Sequence, residues 1–527
     1  MRPQLVKMNK YDWQGKVFCG LLSGVFLFLF CLVLKPVFTQ NAEKSSKPFE
    51  NYNVVLIYLD TLRADHLSCY GYFRKTSPHI DQLATESTIF EQNFAPVSFT
   101  ISSFTSIISS LYPGSHGVFH ICKDKLSPRV NTLAQILKSY GYQTAWFGPL
   151  RDSHLDPEVG FGRGFDELAG FENEFVLEKV KNAFCSWLDA HKDKKFFLNF
   201  HTYKMHAPYL PSPKYKGKFT EIKSMKGVIE DIDEYYRGSI KQIMKDKRLA
   251  IEIMGQDLYN EFMAAGLILG DIEQMEEFFV SRGKRDKLSG IRSFVYWSGL
   301  HLGEKAVNSY VQALYDADIR EYDSEVIGPV IKKLKALNLY DKTIIIICSD
   351  HGEEFYEHGG FSHGKTLYDE VTRVPWLIRV PWVKQAKRVK EFTQTVDIMP
   401  TLLDLLKIPI PHQAQGESLA GFINGQGPLP LREYVFGRIM DKSSIRSKEW
   451  LLVLEDNELD PKQLYDLRAD PGQQNNVYSK HQDIALELEF KLREWEKSLP
   501  SYRDQEYSFS PEIDKITQER IRKTGYW

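Results

Sequence analysis

Residues Thr343–Lys365, TIIIICSDHGEEFYEHGGFSHGK, constrain the fold more than any other stretch of this chain. Ile344–Cys348 is a short, unbroken apolar run rich in β-branched residues. A run with no polar face predicts a central parallel strand covered on both sides. It breaks off at Ser349-Asp350-His351-Gly352-Glu353-Glu354. A carboxylate and an imidazole at the C-terminal tip of a buried strand stand where open α/β sheets carry their chemistry. His358, His363 and Lys365 follow in the same loop. Acidic, imidazole and ammonium groups gathered there point to a metal and an anionic substrate; a solvated polar loop is the plainer alternative.

Other short apolar runs repeat the pattern. Val54–Leu59 ends at Asp60, Gln143–Phe147 follows a helical stretch over Thr132–Tyr140, and Phe196–Phe200 ends beside His201. Helices are predicted over His79–Glu86 and Ser102–Leu111. Strands alternating with helices give an α/β fold with a doubly wound, mostly parallel central sheet. Residues 221–303 lack short apolar strands and carry helical periodicity, so they read as a helical insertion, either a lid or a surface elaboration. Val307–Leu337 reads as one long amphipathic helix. After Asp397–Leu406, another helix, come short strands at Tyr434–Arg438, Trp450–Leu454 and Gln463–Leu467 and a helix over Ile484–Leu499. These define a small C-terminal α+β subdomain from about Gln413.

The chain has 527 residues, too many for one ordinary domain, and a net charge of -2, which offers a nucleic acid nothing to bind. Val17–Leu34 is apolar and uncharged. At about 1.5 Å per residue it comes close to spanning a bilayer core of roughly 30 Å. Arg2, Lys7, Lys10 and Lys16 precede it, and no A-x-A-like cleavage site follows. The expectation is an uncleaved single-pass anchor with residues 1–16 in the cytoplasm, a linker over 35–50, a catalytic domain over 51–412 outside the membrane, and the C-terminal subdomain and tail over 413–527. The cysteines show no metal-binding spacing.

Asp60 and Asp350-His351 each end a predicted core strand. If the strands are neighbours, two carboxylates and an imidazole converge. That set suits one divalent cation, with Mn, Zn or Fe favoured over Ca or Mg because of the imidazole. Taken alone, Asp60 is as well explained by a helix cap or a salt bridge to Arg63. Between these strands, NFAPVSFTISSFTSIISSLYPGSHG opens a helix with small hydroxyl residues. A helix N-terminus favours an anion or alkoxide. Ser98, Thr100, Ser102 and Ser103 all compete as nucleophile there, and capping is the default for each.

Taken together, these segments resemble a bacterial sulfatase-type member of the alkaline phosphatase superfamily. VLIYLDTLRADHLSCYGY resembles the opening strand and metal Asp. FAPVSFTISSFTSIISSLYPGSHG resembles the nucleophile segment with its YP-x-x-HG signature. FFLNFHTYKMHAPY resembles the segment carrying an active-site His, and CSDHGEEFYEHGGFSHGKTLYDEVTRVPWLIR the second metal segment. DIMPTLLDLL, GESL and the tail QERIRKTGYW are similar to the family's later landmarks. The resemblance implies that Asp60, Asp350 and His351 bind the metal together with Thr100, which falls in the nucleophile slot. It implies that His206 acts as general acid, and that Lys365 contacts the substrate's non-bridging oxygens with His363 nearby.

The departures are as informative. Sulfatases carry Cys or Ser in C/S-x-P-x-R, oxidised to formylglycine; here the segment is Thr100-Ile101-Ser102-Ser103-Phe104, and no formylglycine is expected. The family's G-K-x-H is Gly148-Pro149-Leu150-Arg151, and the second Asp of the opening pair is Thr61. Thr in the nucleophile slot resembles the phosphodiesterase, phosphonate monoesterase and phosphoglycerol-transferase branches, where a cation-activated Thr hydroxyl attacks phosphorus. The expected activity is therefore hydrolysis of phosphate (diester or phosphonate) or sulfate esters of an envelope or extracellular substrate. The alternatives are phosphotransfer onto an envelope lipid or glycan, sulfate-ester hydrolysis by another mechanism, and an anion-binding protein without turnover.

Overall fold

The computed structural model describes residues 52–119, 124–148, 160–170, 177–207, 209–219, 245, 247–266, 274, 278–279, 281–282, 304–456 and 462–503. The apolar run Val17–Leu34, the linker, Pro149–Arg151, Cys122, the tail QERIRKTGYW and most of 221–303 lie outside them. Within that insertion, helices Lys247–Met254 and Gln256–Ala264 are described. Among the described residues, no helix is long and apolar enough to cross a membrane.

Fourteen strands are described. β1 (Asn53–Leu59), β2 (Thr88–Phe94), β3 (Gln143–Gly148), β4 (Glu167–Gly170), β5 (Phe196–Thr202), β6 (Thr343–Cys348), β9 (Trp376–Arg379) and β10 (Lys387–Gln394) form one eight-stranded sheet, ordered β10-β2-β9-β6-β1-β5-β3-β4. β7 (Glu354–Phe355) and β8 (Phe361–Ser362) make a small hairpin. β11 (Val435–Ile439), β12 (Lys442–Arg446), β13 (Trp450–Glu455) and β14 (Gln463–Asp466) form an antiparallel four-stranded sheet. In the large sheet only β9 runs against its neighbours. The architecture is the α/β, mostly parallel, doubly wound one that the apolar runs predict.

Those runs are unbroken because both faces are covered. Val54, Leu56 and Tyr58 of β1 and Ile344, Ile346 and Cys348 of β6 enter one core, with helices Thr100–Ser109, Leu133–Ser139 and Ile398–Leu405. Val55, Ile57, Leu59, Ile345 and Ile347 enter the other, with helices Pro78–Ala84, Leu177–His191 and Glu304–Tyr322. Alternate residues of a strand point to opposite faces, so a strand buried twice must be apolar throughout.

One element differs from expectation. The helix read over Val307–Leu337 is interrupted: Glu304–Tyr322 passes through a π-helical turn at Asp323–Ile327 before Gly328–Ala336 continues. The Asp323 carboxylate accepts from the backbone N–H groups of His79 and Ile80, which start the neighbouring helix. That capping contact accompanies the widened turn.

Candidate active site

β1 and β6 are adjacent and parallel, with Tyr58 opposite Cys348. Two residues further on, the same register sets Asp60 beside Asp350. Thr61 follows with φ 57°, a left-handed conformation that is costly for a β-branched residue. Its hydrogen bonds hold it there: the Thr61 amide donates to Asp350 Oδ1 (3.2 Å) and its hydroxyl to the Met205 carbonyl (2.8 Å). The position where the resemblance expects a second Asp thus ties the β1, β5 and β6 loops together. Arg63 directs its guanidinium to Asp65 and Glu357, at 2.7 and 2.5 Å, so the proposed ion pair with Asp60 is not its arrangement.

Asp60, Asp350 and His351 are fully buried, and their ligand atoms all lie within 4.8 Å of one another. His351 Nδ1–H donates to the Gly352 carbonyl at 2.9 Å, because a carbonyl can only accept. Burial pushes the imidazole down to about 4, so it is neutral near pH 7 and Nε2 carries a lone pair. That nitrogen lies 3.2 Å from Asp350 Oδ2, a buried oxygen that meets no hydrogen-bond donor among the described residues. Two acceptors facing each other in a buried site repel unless a cation lies between them. The donor set fits a divalent ion, held by Asp60, Asp350 and His351.

Thr100 is the first residue of helix Thr100–Ser109 and is buried. Its hydroxyl donates to His351 Nε2 at 3.1 Å. Of the competing hydroxyls, Ser98 donates to the Thr366 carbonyl (2.6 Å) and Ser103 to the Asp350 carbonyl (2.7 Å), whereas the buried Ser102 hydroxyl meets no hydrogen-bond partner among the described residues. The Ser103 contact fastens the helix N-terminus onto the loop that carries the acidic and imidazole groups.

Two further imidazoles line the site. The His363 ring lies 4.3 Å from His351 and 5.0 Å from His206, centroid to centroid. His206 Nδ1–H donates to the Ala207 carbonyl (2.6 Å) and His363 Nδ1–H to Glu353 Oε1 (2.9 Å). All three histidines therefore carry their proton on Nδ1. Burial lowers His206 and His363 to about 4 each. Lys365 is exposed, two residues beyond His363, and its charge also opposes a proton on that ring.

Two site residues were not singled out in the sequence. Glu353 is buried, accepts from the Tyr209 hydroxyl (2.9 Å) as well as from His363, and is raised to about 7 by burial. It stands in the loop already marked by Asp350-His351, so a signal existed. His201, on β5, lies 3.4 Å from Asp60 through Nε2 and Oδ2. Only the β1–β5 register brings it there.

A doubly wound sheet whose central strand tips gather two carboxylates and an imidazole is the architecture of the alkaline phosphatase superfamily. The sequence model of one family, described as sulfatase, matches residues 52–408, and another, described as N-sulphoglucosamine sulphohydrolase, C-terminal, matches residues 356–498. The chain belongs to the sulfatase family, and it is an ester hydrolase. It is similar to an N-acetylglucosamine-6-O-sulfatase of Bacteroides thetaiotaomicron, 24% identical over 92% of this chain and 91% of that protein. Over a shorter part, 34% of this chain and 36% of the other, it is 33% identical to arylsulfatase K of Homo sapiens. One similar solved structure holds its substrate D-glucosamine-2-N,6-O-disulfate (TM-score 0.63, 21% identity, 85% of this chain and 98% of that one). Another is a phosphonate monoester hydrolase of Agrobacterium radiobacter (TM-score 0.61, 21% identity, 84% and 96%).

Proposed function

We propose that the chain is a cation-dependent hydrolase of monoanionic tetrahedral esters that works through Thr100, with phosphate diesters and phosphonate monoesters preferred to sulfate esters. The observation that carries this reading is the 3.1 Å contact between Thr100 Oγ1 and His351 Nε2, at the trio Asp60, Asp350 and His351. Thr is a secondary alcohol and lacks the Cβ chemistry that yields formylglycine, so Thr100 must act as its own nucleophile. A bound divalent ion would supply positive charge that lowers the hydroxyl pKa and offsets charge on the ester oxygens. The helix N-terminus behind Thr100 favours the same anionic form.

The roles of the side chains follow. Thr100 Oγ, its proton released to solvent, attacks the central atom, and a covalent bond to Thr100 forms as the ester bond breaks. His206 gives a proton to the departing oxygen. Lys365 and His363 contact the non-bridging oxygens. Water, or an acceptor alcohol, then releases the group from Thr100. Val17–Leu34 is a single-pass anchor that leaves residues after Lys35 outside the membrane, among envelope or extracellular esters.

A second reading is hydrolysis of sulfate esters on a sugar without formylglycine. Its support is the similarity to an N-acetylglucosamine-6-O-sulfatase across 92% of this chain. A panel of aryl phosphodiester, phosphonate and sulfate substrates, with added cation, separates the two. Diester or phosphonate turnover is expected to exceed sulfate turnover. Thr100→Ala is expected to lower it by at least about a thousandfold. Thr100→Cys is expected to leave sulfate turnover low, since the Pro and Arg of C/S-x-P-x-R are missing. Dominant sulfate turnover in the natural chain would reverse the ranking.

A further inference from the structure

We infer that His201 is a positioning residue that holds the Asp60 carboxylate for the cation. The inference rests on the cation reading above and goes beyond it, because His201 stands outside the trio whose ligand atoms all lie within 4.8 Å of one another.

A histidine near the end of the apolar strand FFLNFHT is costly to bury unless it is hydrogen-bonded. Here it is only 1% exposed. β5 runs parallel to β1 with His201 opposite Tyr58, one row behind Asp60. Nε2 lies 3.4 Å from Asp60 Oδ2, and both side chains are fully buried. The ring has a seat made for it. Tyr58 packs on it at 4.5 Å and Trp146 at 5.8 Å between centroids. On the far side is Gly148, where a Cβ would lie 3.0 Å from both the His201 Cβ and the His201 carbonyl oxygen. A Cβ at 148 would press on His201 and on Trp146 Nε1, so that His201 must give by a few tenths of an ångström.

The chemistry of this pair suits a cation site. An N–H donated to Asp60 Oδ2 fixes the rotamer in which the carboxylate faces Asp350 and His351. Partners of this kind, one layer behind the ligands, commonly carry 10–100-fold in metal affinity.

The test is Mn²⁺ titration of the purified full chain by calorimetry, with the folded state of each variant checked by near-UV circular dichroism. His201→Leu is expected to weaken Mn²⁺ by roughly 10–100-fold. His201→Gln, whose amide N–H can still donate, is expected to recover most of the loss. Gly148→Ala, which leaves every polar group intact, is expected to weaken Mn²⁺ by displacing the ring. Equal affinity in the natural chain and in both His201→Leu and Gly148→Ala overturns the inference. So does a loss in His201→Leu that His201→Gln shares in full while the spectrum stays native, since that marks a direct ligand. A natural chain that takes up no Mn²⁺, Zn²⁺ or Fe²⁺ sinks the cation reading itself, and this inference with it. Should His201→Leu fail to fold, His201→Gln and Gly148→Ala still decide the matter.

Discussion

At the scale of single residues, His206 presents the sharpest chemical question. A general acid must hold a proton, yet burial first, and the neighbouring His363 second, lower this imidazole to about 4. Its Nδ1–H is already given to the Ala207 carbonyl, so in the free enzyme at pH 7 the proton it would donate is not on Nε2. An anionic substrate would favour the protonated ring, which then takes its proton from solvent as the ester binds. The sign of the pH effect follows. Since kcat/KM reports the free enzyme, it tracks the protonated fraction, which falls tenfold per pH unit above the pKa. For an ester with a poor leaving group, kcat/KM is expected to fall as pH rises from about 4 towards 7. His206→Ala is expected to remove that slope and cost roughly 10²–10⁴-fold. With p-nitrophenolate as leaving group, which needs no proton, the same variant is expected to lose little. Equal losses for both leaving groups would show that His206 does not donate.

Other residues explain why the chain departs from its relatives. Phe104 takes the place of the Arg in C/S-x-P-x-R, and its ring packs edge-on against Tyr58 at 5.3 Å and Trp146 at 5.1 Å. That spot is now part of the aromatic wall behind the trio Asp60, Asp350 and His351. It cannot stabilise an oxidised nucleophile by charge.

At the scale of elements, the loop after β5 depends on a buried ion cluster. Lys204 is 2% exposed, and its ammonium lies 2.5 Å from Asp318 and 3.0 Å from Glu321 on helix Glu304–Tyr322. The same carboxylates accept from the amides of Leu210 and Ser212, at 2.7 and 2.9 Å. The segment that carries His206 is therefore clamped from both ends onto one helix. Breaking a buried pair from one side leaves a charge unmatched, at a cost of about 3–5 kcal/mol. Lys204→Met is expected to lose about that much in a urea melt. It should also slow turnover of esters with poor leaving groups, through His206. An unchanged melt would show that the clamp is not what sets the loop.

Legibility also divides at this scale. β1 and β6 were readable because a strand buried on both faces is apolar almost without a break, and β3 and β5 because apolar and aromatic residues dominate them. β2 (TIFEQNF), β10 (KRVKEFTQ) and β12 (KSSIR) were not, and each carries polar or charged residues that local composition assigns to loops. β10 closes one edge of the large sheet, where one side needs no apolar cover. Asp60, Thr100, Asp350 and His351 were legible as a set because motif order linked them. The contact of His201 with Asp60 and that of Arg63 with Glu357 were not, since each joins positions more than a hundred residues apart.

For the whole molecule, residues 51–527 cluster as one compact unit, and the small sheet is joined to the loop that carries His363 and Lys365. Arg446 on β12 reaches Asp369 (2.5 Å), the Tyr368 hydroxyl donates to Gln463 on β14 (2.8 Å), and His358 Nε2–H donates to the Gln473 carbonyl (3.0 Å). Glu354, His358 and Glu370 beside these contacts form a second group with metal-like spacing. There, however, His358 Nδ1 makes a very short contact to Glu370 and its ring stacks on Tyr368. Glu370 raises that imidazole against the opposing effect of burial, as befits an imidazolium tying two parts of the fold together. Two groups of similar shape thus differ in proton logic: burial lowers the His351 imidazole, whereas the Glu370 carboxylate raises that of His358.

Anomalous diffraction from crystals grown with Zn²⁺ distinguishes them in one map. A peak is expected about 2.0–2.2 Å from His351 Nε2 and from carboxylate oxygens of Asp60 and Asp350, with the Thr100 hydroxyl in the same coordination shell. A peak at Glu354, His358 and Glu370 with none beside Asp350, or a Thr100 hydroxyl turned away from the ion, would contradict the assignment.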